Sequence, residues 1–350
     1  MKEVREMKWR ELQPIWQQFN ERSQTATPFQ SYEFLTFTGR GKPYRNDLFR
    51  LVGISEWNLV LYSDGVPVVI APLLIKMKHG RHIVYFRGHF TVANQLDFIY
   101  ADYTYDEFKF LMDHIKANLK NPEFILDRVS EKTVTCGYLK SYFESGKIEE
   151  HTCFSIPISK SYDDWRKTLS RSARQNLSNH YHRLERDKLN WSVCFCYGEK
   201  VEACLCKKLM WVYADRFIIK NDCNFGVLTK LATRMLRKYL LRDRMTQWMN
   251  SADGNFHAVL YIEKDVAAFA SGLCCRDKRI ILSRLAINTG YAKYSPGGLL
   301  ISSVIRHIIA ENAKGEMDVS ELDLSQGGQE GMCYKQAYGG KPHYNYVFYG

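Results

Sequence analysis

From Asp323 to Gly340 the chain reads DLSQGGQEGMCYKQAYGG. Two carboxylates (Asp323, Glu330), two tyrosines (Tyr334, Tyr338), Lys335 and five glycines fall within these eighteen residues. Glycine permits tight turns. Tyrosine can serve as a general acid, and lysine offers fixed positive charge to a phosphate or a developing oxyanion. The segment therefore brings proton-transfer and anion-binding groups together. Its plainer account is a polar glycine loop around a buried tyrosine. For Asp323 two roles stay open, a strand-end carboxylate that fixes the glycine loop or a member of the chemistry.

Upstream, Ser295-Pro296-Gly297-Gly298 precedes Leu300, Ile301, Val304, Ile305, Ile308 and Ile309, which recur at helical spacing. Pro near a helix start costs nothing, because the N–H it lacks would have no partner there. A helix N-terminus offers free N–H groups and a positive dipole end, which suits phosphate. An ordinary capped helix is the rival account.

Charge is the third signal. Trp165–Leu184 carries Arg166, Lys167, Arg171, Arg174 and Arg183 with no acid. Arg171, Arg174 and the interleaved Asn176 are its candidate anionic-substrate contacts, weighed against a merely solvated helix face. A second basic stretch, Val227–Arg244, has six Lys/Arg against one Asp.

Positioning these groups takes a repeated framework. Asn58–Phe86 and Ala258–Ile287 each read as three strands joined by short polar turns, Ser63-Asp64-Gly65 and Lys78-His79-Gly80 in one, Glu263-Lys264-Asp265 and Arg276-Asp277-Lys278 in the other. Asp and Gly between apolar runs are hairpin signals. The two meanders begin 200 residues apart. Helical periodicity flanks both: Trp9, Leu12, Ile15, Trp16 and Phe19, then Phe108, Leu111, Met112, Ile115 and Leu119 around the first. Helices over about Asp163–Asp187, Glu199–Arg216 and Val227–Asp243, with a strand Trp191–Tyr197, precede the second. Strands Met317–Leu324 and Tyr344–Tyr349 close the chain. The expected fold is α/β (mixed α+β): two tandem units, 1–150 and 151–350, each a mostly antiparallel sheet flanked by helices.

Composition sets the outer bounds. A chain of 350 residues with 45% hydrophobic and 14% aromatic content can build two cores and is not bulk disorder. Forty-nine Lys/Arg against thirty-eight Asp/Glu leave a net charge of +11, a tilt toward anionic partners. The longest clean apolar run, Val66–Ile75, has ten residues and two prolines, against about 20 for a membrane-spanning helix. The first residues, MKEVREMKWRELQPIW, have no apolar signal core, so a soluble cytoplasmic protein is expected. Ten cysteines include Cys194-x-Cys196, Cys204-x-Cys206 and Cys223, but no CxxC pair, so reduced thiols and no metal are expected.

The order of elements resembles the GNAT acyltransferase fold, and the duplication resembles its tandem form, which includes the FemABX-like aminoacyl transferases and cellulose-biosynthesis-associated acetyltransferase-type proteins. Three segments carry the resemblance: SRSARQNLSNHYHRLERD (Ser170–Asp187), YAKYSPGGLLISSVIRHII (Tyr291–Ile309) and DLSQGGQEGMCYKQAYGG (Asp323–Gly340). TPFQSYEFL (Thr27–Leu35) and the first meander fit more loosely.

The resemblance implies transfer of an acyl group from acyl-CoA, acetyl-CoA or an acyl-carrier protein to an amine or hydroxyl of a polar, anionic small molecule, without a metal. It places the donor at Lys293, Ser295, Gly297 and Gly298, the nearest equivalents of the family's Arg/Gln and Gly-x-Gly turn. Tyr334 becomes the general acid, Lys335 an anion binder, Asp323 a further catalytic-segment residue, and Tyr338 the substitute for Tyr334. About three extra residues separate Asp323 from Tyr334-Lys335 relative to the family pattern, and Gln326 stands where an Arg is common. Two other functions remain in view: an aminoacyl-tRNA-dependent transferase and a non-catalytic module that binds anions or nucleic acid.

Overall fold

The computed structural model describes residues 1–23, 27–40, 53–90, 93–199, 201–220, 231, 232, 235, 254–326 and 334–350. The chain divides into two compact units, Met1–Thr152 with His343–Gly350, and Cys153–Pro342.

In the first unit β1 (Lys2–Glu6), β2 (Ile54–Ser63), β3 (Val66–Lys78) and β4 (Arg81–Phe86) pair antiparallel in that order. Helices α1 (Gln13–Arg22) and α2 (Tyr32–Arg40) lie between β1 and β2 in the chain. Both hairpins of the meander turn on a non-glycine in the left-handed region followed by glycine: Asp64 at φ 49° then Gly65 at φ 80°, and His79 at φ 50° then Gly80 at φ 75°. Two consecutive positive φ values match the twist of a two-residue hairpin. In β3, residues Val69–Ile75 are buried without alternation, as a central strand requires. Its prolines sit where no ladder bond is lost. Pro67 flanks a register shift against β2. Pro72 falls between the residues paired with β5 (Ile99–Tyr100) and those paired with β4. A capping box at Thr104 and Glu107 opens α3 (Tyr105–Ala117). Its Phe108, Leu111, Met112 and Ile115 are buried on one stripe. The chain then enters β6 (Glu123–Ser130), parallel to β4, and α4 (Val134–Tyr142).

Among the carboxylates this unit buries, Asp97 has a consequence for stability. Asp97 accepts from the Phe98 amide at 2.7 Å and the Tyr100 hydroxyl at 3.1 Å, yet burial pushes its pKa up to about 7. A carboxyl whose folded pKa is raised binds its proton more tightly folded than unfolded. Its contribution is therefore full below the unfolded value and is lost as pH rises through about 7. A shift of this size corresponds to at most about 4 kcal/mol. The urea midpoint of the wild type, measured against Asp97→Asn, should fall between pH 4 and pH 8. A difference that stays flat over this range would disprove the shift.

The second unit takes the C-terminal part of β7 (Ile148–Pro157), then α5 (Tyr162–Thr168), α6 (Arg171–Arg186), β8 (Trp191–Tyr197) and α7 (Ala203–Lys220). The meander β9 (Asn255–Ile262), β10 (Asp265–Cys274) and β11 (Arg279–Ile287) follows, paired antiparallel like the first. A six-residue 3-10 helix, Thr289–Tyr294, leads into α8 (Pro296–Lys314), and β12 (Glu321–Gln326) returns parallel to β11 and antiparallel to β7. Small buried alanines at 267, 268 and 270 of β10 share a core with α8. There Leu299, Leu300, Ile301, Val304, Ile305 and Ile308 close a core with Phe256, Leu260, Ile280 and Leu282. At the β10 bulge only glycine fits, since a Cβ on Gly272 would lie 2.2 Å from the Ile281 carbonyl oxygen.

Three expectations are corrected. The single helix expected over Asp163–Asp187 is two, broken at Leu169-Ser170, because the Ser170 hydroxyl accepts from the Ala173 amide and starts α6 afresh. The helix expected over Glu199–Arg216 runs Ala203–Lys220. The end of the chain does not stay with the second unit. After α9 (Tyr334–Ala337), β13 (Lys341–Tyr349) pairs antiparallel with β6, from Asn345 opposite Ser130 to Tyr349 opposite Ile125. The helix over Val227–Asp243 lies almost wholly outside the described residues, as do Glu330, Cys223 and the extra residues before Tyr334.

Candidate active site

The site is built where β11 and β12 stop pairing. Their parallel contact covers three pairs, Arg279–Glu321, Ile280–Leu322 and Ile281–Asp323. Beyond these, side chains take carbonyls of β11: the Ser325 hydroxyl donates to Leu282 at 2.8 Å, and the Arg216 guanidinium of α7 donates to Leu285. β12 itself turns aside at a bulge after Asp323, with Ser325 in the left-handed region at φ 59°. Asp323 is 1% exposed and accepts from the Ser325 amide at 2.6 Å, with the Arg279 guanidinium 3.9 Å away. Its geometry is that of a carboxylate fixing the turn.

Lys335 is also buried, and its ammonium donates to three carbonyls at the end of β12: Leu324, Ser325 at 2.9 Å and Gln326 at 2.6 Å. These bonds tie α9 to the strand end. Where an anion contact was expected of Lys335, the described contacts of its ammonium make it a tether to backbone. Tyr334, one residue earlier, is 46% exposed.

Tyr338 takes the inward position. Its carbonyl accepts from the Trp165 indole at 3.1 Å, and the Gly339-Gly340 pair after it is forced by close approach. Gly339 has φ 83°, and a Cβ on Gly340 would meet the Lys335 carbonyl oxygen at 2.6 Å. The Tyr338 hydroxyl lies against the first turn of α8, 2.0 Å from where a Cβ on Gly298 would stand. Burial, then the neighbouring Tyr334 and Tyr181, pushes its pKa up to about 12, so it carries its proton at neutral pH. Ser295 enters this turn in the left-handed region (φ 51°, ψ 54°) and makes no side-chain cap, while a Cβ on Gly297 would stand 3.3 Å from Ile287.

Gly298→Ala should consequently lower stability by about 1–3 kcal/mol, the cost of overpacking, although alanine is the better helix former. Tyr338→Phe in the same chain should return most of that loss. Two effects that simply add would place the hydroxyl elsewhere.

The remaining expected contacts are dispersed. Lys293 is exposed and pairs with Asp187 at 3.3 Å, and its carbonyl accepts from Arg183 at 2.8 Å. Asp187 is held down at about 2 by Arg186 and then by the Tyr294 hydroxyl. Arg174 donates to the carbonyls of Lys167 and Leu169 and so closes the end of α5, a correction to its expected role toward substrate. Arg171 and Asn176 are exposed. Two residues of helix separate Arg174 from Asn176 by about 200° around α6, so the trio shares no face. Asn176 instead lies about one turn from His180.

His180 was not singled out by the sequence reading. Its ring Nδ1 is buried, and it is 3.3 Å from the same Gly298 Cβ position. The available signal was its spacing, three residues after buried Leu177 and four before buried Leu184. Tyr181 and Tyr162 both reach Ser302 of α8, at 3.1 and 2.5 Å, and fasten α6 and α5 beside it. Among the described residues all cysteines are free thiols, no group of three or more His, Cys, Asp or Glu could hold a metal ion, and no helix is long and apolar enough to cross a membrane.

Solved structures share the fold over the length of the chain. A conserved protein of unknown function from Bacteroides thetaiotaomicron matches with TM-score 0.56 and 11% identity, covering 100% of this chain and 99% of that one. A tandem GNAT protein from the clavulanic acid biosynthesis pathway gives 0.51 and 11%, covering 100% and 98%. FemX gives 0.51 and 10%, covering 98% and 96%. No curated protein matches in sequence. At such identities the likeness defines the fold, and the fold is that of tandem GNAT proteins. Residues 171–336, which hold His180, Gly298, Asp323 and Lys335 but not Tyr338, match the family described as acetyltransferase (GNAT) domain. That stretch is 166 of the 350 residues, and over it the chain is similar to GNAT acetyltransferase domains.

Proposed function

We propose that the second unit moves an acyl group from acyl-CoA, or from an acyl-carrier protein, to an amine or hydroxyl of a polar, anionic acceptor. The carrying observation is the Tyr338 hydroxyl packed on the first turn of α8, beside the length of β11 that β12 leaves unpaired. The glycine turn suits a phosphate-bearing donor, since the N-terminal end of a nineteen-residue helix offers backbone N–H groups and two glycines there carry no side chains of their own. Backbone N–H groups of β11 would polarise the donor carbonyl, and Tyr338, protonated at neutral pH, would give its proton to the departing sulfur. Asp323 and Lys335 hold the segment that carries Tyr338. The net charge of +11 favours an anionic acceptor, with Arg171 as its exposed contact on α6.

Calorimetry with acetyl-CoA and a thiol-release assay test the reading. One bound acetyl-CoA per chain, displaced by free coenzyme A, is expected. A chain that ignores acetyl-CoA and acylated carrier protein but takes aminoacyl-tRNA would replace the donor. One that turns over none of the three would replace the enzyme reading with the binding-module alternative.

A further inference from the structure

We propose that His180 is the base of this site and works with Tyr338 as a proton-transfer pair. The inference rests on the acyl-transfer reading and names the group which that reading lacks.

Two side chains from distant parts of the chain converge on one point. The position a Cβ of Gly298 would take lies 2.0 Å from the Tyr338 hydroxyl and 3.3 Å from His180 Nδ1, so the two polar atoms are within about 5 Å of each other. Nδ1 is buried and has no hydrogen-bond partner. A buried polar atom left unpaired costs on the order of 1–3 kcal/mol. Nothing in the packing of α6 demands it, because Leu177, Tyr181 and Leu184 already anchor that helix. Burial and then the Arg183 cation hold the imidazole below its ordinary pKa, which leaves it neutral and able to accept a proton. Tyr338 is shifted the opposite way and can only donate. Two neighbouring groups pushed apart in this sense form an acid and a base at one pH.

The step balances. As the acceptor's nitrogen or oxygen forms its bond to the acyl carbon, its proton passes to His180 Nδ1. The carbon–sulfur bond breaks, and the sulfur takes the proton of Tyr338. His180 then returns its proton to the phenolate across the short gap, directly or through a water, and both groups are restored.

The test uses the full chain and acetyl-CoA, with water as the acyl acceptor. His180→Ala should bind acetyl-CoA as the wild type does and release thiol about 10²–10⁴-fold more slowly. Added imidazole should restore a large part of the rate, which a merely structural histidine would not allow. His180→Gln keeps the volume, so it carries the same comparison of rate and binding if the alanine variant fails to fold. Unchanged turnover overturns the proposal. So does a loss that imidazole does not reverse in a folded variant that still binds acetyl-CoA. If the wild type neither binds nor turns over acetyl-CoA, the donor reading fails first. The pair is then judged by the 15N resonances of the His180 ring, whose titration must move in Tyr338→Phe. If it does not move, the pair does not exist.

Discussion

Tyr338→Phe should lower thiol release from acetyl-CoA by ~10²–10⁴, the usual contribution of a general acid, with binding and melting temperature nearly unchanged. Tyr334→Phe should leave turnover close to wild type. The distinction comes from geometry. Both tyrosines sit on the α9 segment four residues apart, but Tyr334 is 46% exposed, whereas the Tyr338 hydroxyl is packed on Gly298. A group meant to protonate a leaving sulfur needs a fixed direction and a proton at neutral pH. Tyr338 has both: its backbone is tied to Trp165, and burial holds its pKa at about 12. If Tyr334→Phe alone abolishes turnover, the acid has been assigned to the wrong tyrosine. If neither variant loses turnover, tyrosine acid catalysis does not operate here.

Much of the frame was legible because local rules agree with the tertiary structure. Asp64-Gly65 and His79-Gly80 demand hairpins whatever surrounds them, and the apolar stripe from Leu300 to Ile309 is the face that α8 buries. The repeat showed itself in those same hairpins, and each meander ends in a strand with the same three-pair parallel contact to the next: Ile83–Glu123 to Tyr85–Ile125, and Arg279–Glu321 to Ile281–Asp323. The break at Leu169-Ser170 was also local, since Ser170 is a good N-cap, but it was masked by helical periodicity on both sides.

The site was less legible, because its decisive contacts are long-range and several end on backbone. Arg174 and Lys335 have the charge of anion binders, and no pattern of residue types says that carbonyls of Lys167, Leu169 and the end of β12 will claim them. His180 and Tyr338 meet over a glycine more than a hundred residues away from the first of them. Glycine's lack of a side chain is visible in the sequence, but what fills the space is not.

Lys335→Ala therefore becomes a stability variant, with an expected loss of about 3–6 kcal/mol. Three charge-assisted hydrogen bonds disappear together, and the carbonyls of Leu324, Ser325 and Gln326 lose their buried donor. Turnover should fall as well, because α9 is tied to β12 through this ammonium and Tyr338 follows immediately after α9. Lys335→Arg should not rescue it. A planar guanidinium cannot point its protons at three converging carbonyls as a tetrahedral ammonium does. An anion-binding lysine would behave differently: alanine would weaken donor binding at nearly constant stability, and arginine would restore it. Urea unfolding of both variants beside acetyl-CoA titration separates the two accounts. An unchanged unfolding midpoint with weakened binding would return Lys335 to the anion-binding role.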